Sequence, residues 1–124
     1  MISLKTLYLF HSIHLGYAGV AILSKTEPVN VITGIQSSSC VEGRALTLEF
    51  ESFFVVGTYV PNSGQDLQFA SKRANWDSKI KTHLSSLKAQ NKHVIWGGDL
   101  NVAMLDYDVY DGDTNAQRSV YLSF

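Results

Sequence analysis

The sequence predicts an α/β (α+β) protein with mixed sheets, and three observations carry that expectation. Several short apolar, β-branched runs are punctuated by Gly and Pro turns. Residues 66–90 then change to a helical period. A further short apolar run at 93–98 follows and completes a strand–helix–strand unit.

Each element has its own signal. Residues 19–24, a short apolar run after a glycine, read as a buried strand. Glu27-Pro28 marks a turn, and 29–35 alternates loosely as a second strand. Residues 37–43 form a polar loop. In 44–50, Arg44, Thr47 and Glu49 interleave with Ala45, Leu46, Leu48 and Phe50, a strand with one apolar face. Residues 53–60 are β-branched and aromatic on both faces, which suits a central strand. Pro61-Asn62-Ser63-Gly64 closes it with strong turn chemistry.

Phe69, Trp76, Ile80, Leu84 and Leu87 then make one stripe of an amphipathic helix. Asp77, Lys79, Lys81 and Lys88 take its wet side. Asn91-Lys92 ends the helix, and 93–98 is a short buried strand leading into Asp99-Leu100-Asn101. Beyond Asp106 the chain is acidic and aperiodic.

Bulk properties narrow the class. The 124 residues suit one domain, and 45% apolar against 17% charged residues is a globular balance, not a disordered one. A net charge of -1 gives no global pull toward nucleic acid, so any such contact needs a local face. No apolar run approaches the ~20 residues that span a bilayer, so no membrane association is expected. Cys40 is the only cysteine, which excludes an intrachain disulfide and fits an intracellular protein. The opening residues resemble a secretory leader only faintly, because His11, Ser12 and His14 interrupt the apolar part. Nothing in the sequence fixes an oligomeric state.

Two strand ends carry polar residues that a core does not require: Tyr59-Val60-Pro61-Asn62 and Gly97-Gly98-Asp99-Leu100-Asn101. On an extended segment, Asp99 and Asn101 would point the same way, toward a cleft at the strand's end. Asp99 is then able to bind a hard cation or take a proton from water. Asn101, Asn62 and Tyr59 can donate to phosphate oxygens without adding negative charge. Asp-x-Asn after a strand also serves as a turn or cap, and a lone tyrosine as a core residue with a bonded hydroxyl. Spacing alone leaves both readings open.

The segments taken together resemble a known family. Residues 16–25, Gly-Tyr-Ala-Gly-Val-Ala-Ile-Leu-Ser-Lys, are similar to its GYSGVGLLSR strand. Glu42-Gly43-Arg44 matches EGR, Tyr59-Val60-Pro61-Asn62-Ser63-Gly64 matches YVPNAG, and Gly98-Asp99-Leu100-Asn101-Val102-Ala103 matches GDLNVA. Arg73 and Trp76 match an RxxW on the intervening helix. Four ordered matches are far more specific than any one. They resemble the exonuclease III-type apurinic/apyrimidinic endonucleases of the endonuclease/exonuclease/phosphatase superfamily.

That resemblance implies part of the four-layer α/β sandwich of the deoxyribonuclease I-like fold, with mainly antiparallel sheets and one long flanking helix. Residues 1–15 are then an unmatched leader, and 16–124 a partial domain. The implied activity is incision of double-stranded DNA 5′ to abasic sites, in base excision repair, with Mg2+ or Mn2+. Asp99 would orient or deprotonate the attacking water and, with Asn101, ligate the metal. Asn101 and Asn62 would hold the scissile phosphate, and Tyr59 would position it. Tyr17, Arg44 and Asn115 would meet the DNA backbone. Arg73 and Trp76 would anchor helix to sheet. The implied location is the nucleus in a eukaryote, the cytoplasm in a bacterium.

The match is incomplete. The family's Asn-x-Asp strand, separate Glu, later Asp/His pair and final Ser-Asp-His segment have no counterpart here, which implies a weak or inactive chain. The alternatives are another superfamily phosphoesterase, acting on RNA, on phosphoinositides or as a retroelement endonuclease, and a non-catalytic nucleic-acid-binding remnant. Asp106, Asp108, Asp111 and Asp113 miss the calcium-loop spacing and read as a solvated loop. His11, His14, His83 and His93 lack ligand spacing and read as surface or satisfied histidines.

Overall fold

The computed structural model describes residues 6–11, 16–35 and 42–103. Strands β1 (Thr6–His11) and β2 (Gly19–Ser24) pair antiparallel as one sheet. Strands β3 (Asn30–Thr33), β4 (Ala45–Glu49), β5 (Phe53–Tyr59) and β6 (His93–Asp99) form a second sheet in that spatial order. The β3–β4 and β4–β5 pairs are antiparallel, whereas β5–β6 is parallel. A parallel pair needs a long crossover. Helix α1 (Ala70–Lys88) supplies it. Thr6–His11 falls in the stretch read from sequence as an unmatched leader, yet here it is a strand of the first sheet.

The layers stack as helix, four-stranded sheet, two-stranded sheet. This is the α/β sandwich expected, with mixed and mainly antiparallel pairing and one flanking helix. Ala45, Phe54, Val56 and Val60 meet Trp76, Ile80 and Leu87 of α1 in one buried cluster. Phe54 and Leu87 are both 0% exposed. Truncating such a phenylalanine to alanine typically costs about 3–5 kcal/mol in transfer and cavity terms. On the other face of the sheet, Gly57 sits under Val20 and Ile22 of β2. A Cβ there would lie 3.1 Å from Val20 Cγ1, so the missing side chain lets the two sheets close.

Three expectations change. β4 is buried on both faces, because α1 covers Ala45 and Thr47 while β1 and β2 cover Leu46 and Leu48. Thr47 tolerates this because its hydroxyl lies 3.0 Å from His83 Nε2, so His83 is a satisfied core histidine. Phe69 leaves the helical stripe: it is the N-cap residue of α1 and 51% exposed. β6 is less buried than its apolar run suggests, since it is the last strand of its sheet among the described residues and leaves Ile95 56% exposed.

The first turn of α1 carries Lys72 and Arg73 and no acid, the reverse of what the helix dipole favours. Glu42 and Asp77 offset them through ion pairs at 2.8 and 2.9 Å. At the other end, Asn91 adopts φ 55° and stops the helix. The outer face of the β1–β2 sheet presents Leu7, Leu9 and Leu23, each more than half exposed. Among the described residues no helix is long and apolar enough to cross a membrane.

Candidate active site

The parallel pairing of β5 and β6 brings the two polar strand ends together. Tyr59 and Asp99 are Cα partners in the register, so both strands finish at the same edge of the sheet. Ligands of α/β sheets bind beyond such carboxyl ends. Gly98 makes the close pairing possible: at φ 123° a Cβ would run into the backbone carbonyl of Thr58. The Val60 amide then donates to the Asp99 carbonyl at 2.8 Å and extends the ladder into the loop.

Asp99 and Asn101 do not lie on one extended segment; of the two readings the spacing leaves open, the turn is the one observed. Asn101 has φ 47°, and its amide N–H donates to Asp99 Oδ1 at 3.0 Å. The motif is therefore a side-chain-capped turn, which asparagine tolerates better than other non-glycine residues. The turn still faces the first loop. Asn101 Nδ2 donates to the Val60 carbonyl at 2.8 Å, and Asn62 Nδ2 donates to Asn101 Oδ1 at 3.4 Å. Asn62 Oδ1 in turn accepts from the Gly64 amide at 2.6 Å. Asp99, Asn101, Asn62 and Tyr59 thus gather at one edge, and among the described residues each side-chain amide donates one bond and has a second N–H to offer.

Arg73 holds both loops from beneath. Its Nη1 donates to the Asn101 carbonyl at 2.9 Å and to the Pro61 carbonyl at 3.3 Å. Nε donates to both oxygens of Asp77, at 2.9 and 3.0 Å. The sequence reading gave Arg73 the task of fixing helix to sheet and missed that its partners are the site loops. Its four-residue spacing from Asp77 signals the ion pair alone; the contacts with the loops come from the fold.

A second cluster adjoins Tyr59. Arg44 lies with its guanidinium carbon 4.9 Å from the Tyr59 ring centroid and 5.4 Å from that of Tyr17. It donates to the Tyr59 carbonyl at 3.2 Å and to Glu42 at 2.7 Å. Arg44 was read as a DNA-backbone contact, but only 6% of it is exposed and its charge is spent inside the cluster. Tyr17, 53% exposed, is the aromatic member that faces solvent. Lys72 completes the group, 2.8 Å from Glu42 and 6.0 Å from the Tyr17 ring. Sequence reasoning missed Lys72.

Burial pushes the Glu42 carboxyl up, but hydrogen bonds and charge from Lys72 and Arg44 outweigh it and hold its pKa below the usual value. The bond to Glu42, against a smaller burial effect, raises that of Lys72. Burial likewise opposes the charge on Arg44, and bonding to Glu42 and Tyr17 overcomes it. All three groups are ionised near neutral pH.

Among the described residues no group of three His, Cys, Asp or Glu side chains is placed to hold a metal ion. Asp99 is the one carboxylate among the four gathered residues, and one of its oxygens already accepts from Asn101. The set fits a magnesium-type ion only in the open form, with water and substrate phosphate as the other ligands. Asn101 Oδ1 faces the Asn62 amide, which makes it a poorer metal ligand than the sequence implied. Asn115, Cys40 and the acidic positions Asp106, Asp108, Asp111 and Asp113 lie outside the described residues.

Fold and site together define one part of a deoxyribonuclease I-like α/β sandwich, with a carboxylate and neutral donors at the ends of parallel strands. The chain belongs to the Endonuclease/Exonuclease/phosphatase family, whose sequence profile matches residues 2–123. It is 41% identical over 105 residues to the DNA repair nuclease APEX1 of Danio rerio, covering 84% of this chain and 34% of that protein. It is 39% identical over 113 residues to an exodeoxyribonuclease of Bacillus subtilis, covering 90% and 44%. An AP endonuclease structure from Archaeoglobus fulgidus superposes with a TM-score of 0.72 at 28% identity, covering 88% of this chain and 43% of that one. The chain therefore spans less than half the length of these relatives.

Proposed function

We propose that the chain is the phosphate-handling part of a DNA phosphodiesterase that incises 5′ to abasic sites in base excision repair. One observation carries the reading: the parallel register that sets Tyr59 beside Asp99 and brings the Asn62 and Asn101 amides within 3.4 Å of each other. In-line attack on a phosphodiester needs a positioned water and donors around the equatorial oxygens. Asp99 would orient or deprotonate that water. Asn62 and Asn101 would each give their remaining N–H to phosphate oxygens, and Tyr59 would position the group. Arg44 would act through Tyr59 and Tyr17, by fixing the two rings. A divalent ion, Mg2+ or Mn2+, would neutralise developing charge, with Asp99 as its protein ligand. An abasic nucleotide also resists extrusion less than a stacked one, which favours it as substrate. In a eukaryotic cell this substrate is nuclear; in a bacterium it is cytoplasmic.

The lone carboxylate supports a second reading, a module that binds the phosphate backbone without cleaving it. Incubation of the chain with Mg2+ and abasic, intact or single-stranded oligonucleotides separates the two. Incision 5′ to the lesion, lost in Asp99→Asn, supports the first reading. Binding without cleavage supports the second. Neither binding nor incision would sink both.

A further inference from the structure

We propose that Lys72 is a phosphate-binding residue for a polynucleotide backbone, working beside Tyr17 at the rim of the site. The inference rests on the reading of that site as a DNA phosphodiester site. A polyanion that approaches the exposed Asp99 carboxylate needs a nearby cation to offset the repulsion. The two arginines next to the site do not supply it. The side chain of Arg73 is 6% exposed and spent on Asp77 and two carbonyls. That of Arg44 is 7% exposed and spent on Glu42 and the Tyr59 carbonyl.

Glu42 is shared. Its Oε2 takes Arg44 at 2.7 Å and its Oε1 takes Lys72 at 2.8 Å, so among the described residues two positive charges face one negative and the cluster keeps one in surplus. That surplus emerges where solvent reaches. Lys72 is 45% exposed at its side chain, against 7% for Arg44. Its ammonium lies 6.0 Å from the ring of Tyr17, whose own body is 53% exposed. Through Arg44, the same cluster touches Tyr59. Lys72, Tyr17 and Tyr59 therefore follow one path along the rim, suited to consecutive backbone phosphates.

The chemistry suits lysine. An exposed ion pair is weakly held, and the flexible stem can turn the ammonium from Glu42 to a phosphate. Such a contact positions a strand without reading its sequence.

The test is fluorescence anisotropy of the chain with a labelled abasic duplex, without added metal, across a salt series. Lys72→Ala should weaken binding about three- to tenfold at low salt and reduce the salt slope by about one. Lys72→Arg should keep both, and Lys79→Ala, on the wet side of α1, should match the parent. Thermal melting checks that each variant is folded. An unchanged slope in Lys72→Ala, or an equal loss in Lys79→Ala, overturns the role of Lys72 and leaves the phosphodiester reading standing. A parent chain with no salt-dependent binding overturns both.

Discussion

Arg73 donates to the main-chain carbonyl of Asn101 at 2.9 Å, and so a helix residue fixes the turn that carries Asp99. The same nitrogen reaches Pro61 in the other loop, at 3.3 Å. A single buried guanidinium therefore sets the distance between the two halves of the site.

Replacing Arg73 tests that dependence. Arg73→Ala leaves two carbonyls and Asp77 without their donor and should cost about 1–3 kcal/mol. Arg73→Lys should recover only part of it, because an ammonium lacks the planar fork that serves Asp77 and both carbonyls together. Urea midpoints of the three proteins decide the point, and a fully stable Arg73→Lys would count against the clamp.

Two neighbouring glycines should respond in opposite ways. Gly98→Ala forces a Cβ into the Thr58 backbone at φ 123°, and backbone cannot give way as a flexible side chain can. We expect a loss of about 2 kcal/mol or more and a displaced Asp99. Gly97→Ala meets nothing within 4 Å and should fall within about 0.5 kcal/mol of the parent. Paired denaturation curves make the comparison.

His83 makes stability sensitive to acid. Burial lowers its pKa below the ordinary imidazole value of 6.5, so the unfolded chain takes up a proton before the folded one does. Stability from this group is complete above the unfolded value and is lost as pH falls through it toward the folded pKa, by at most about 1.4 kcal/mol per pH unit. Melting curves between neutral pH and pH 5 should show the decline. His83→Gln should flatten this component, and an unchanged pH dependence in that variant would refute the assignment.

On the proposed reading, any 5′ incision the chain shows should fall at least about a hundredfold in Asp99→Asn, with duplex affinity equal or improved. The amide keeps a side-chain oxygen for the Asn101 N–H, so melting temperature should hold. Single-turnover cleavage beside anisotropy separates the two effects.

Much of this arrangement was legible in the order of residues. β-branched runs and the period change at residues 66–90 located β2, β5, β6 and α1, because those signals depend on near neighbours. Of the polar strand ends, Tyr59 and Asp99 are the last residues of β5 and β6, and Asn62 and Asn101 lie in the loops that follow. Their juxtaposition depends on the parallel β5–β6 register, which a residue pattern does not encode. The turn at Asn101 was one of two readings the sequence left open, because an extended segment and a capped turn share the Asp-x-Asn spacing. Lys72 was invisible for a further reason: its partner Glu42 is remote in sequence, and only the fold brings them to 2.8 Å. β4 looked one-sided because Thr47 is polar, yet His83 supplies it with a buried partner.

Leu7 and Leu23 face each other across the β1–β2 ribbon on its outer side, 58% and 54% exposed. For anyone handling the purified chain, these leucines and Leu9 will govern colloidal behaviour more than its near-neutral charge does. Precipitation should begin at modest protein concentration and recede with mild detergent or with Leu→Lys changes on that side.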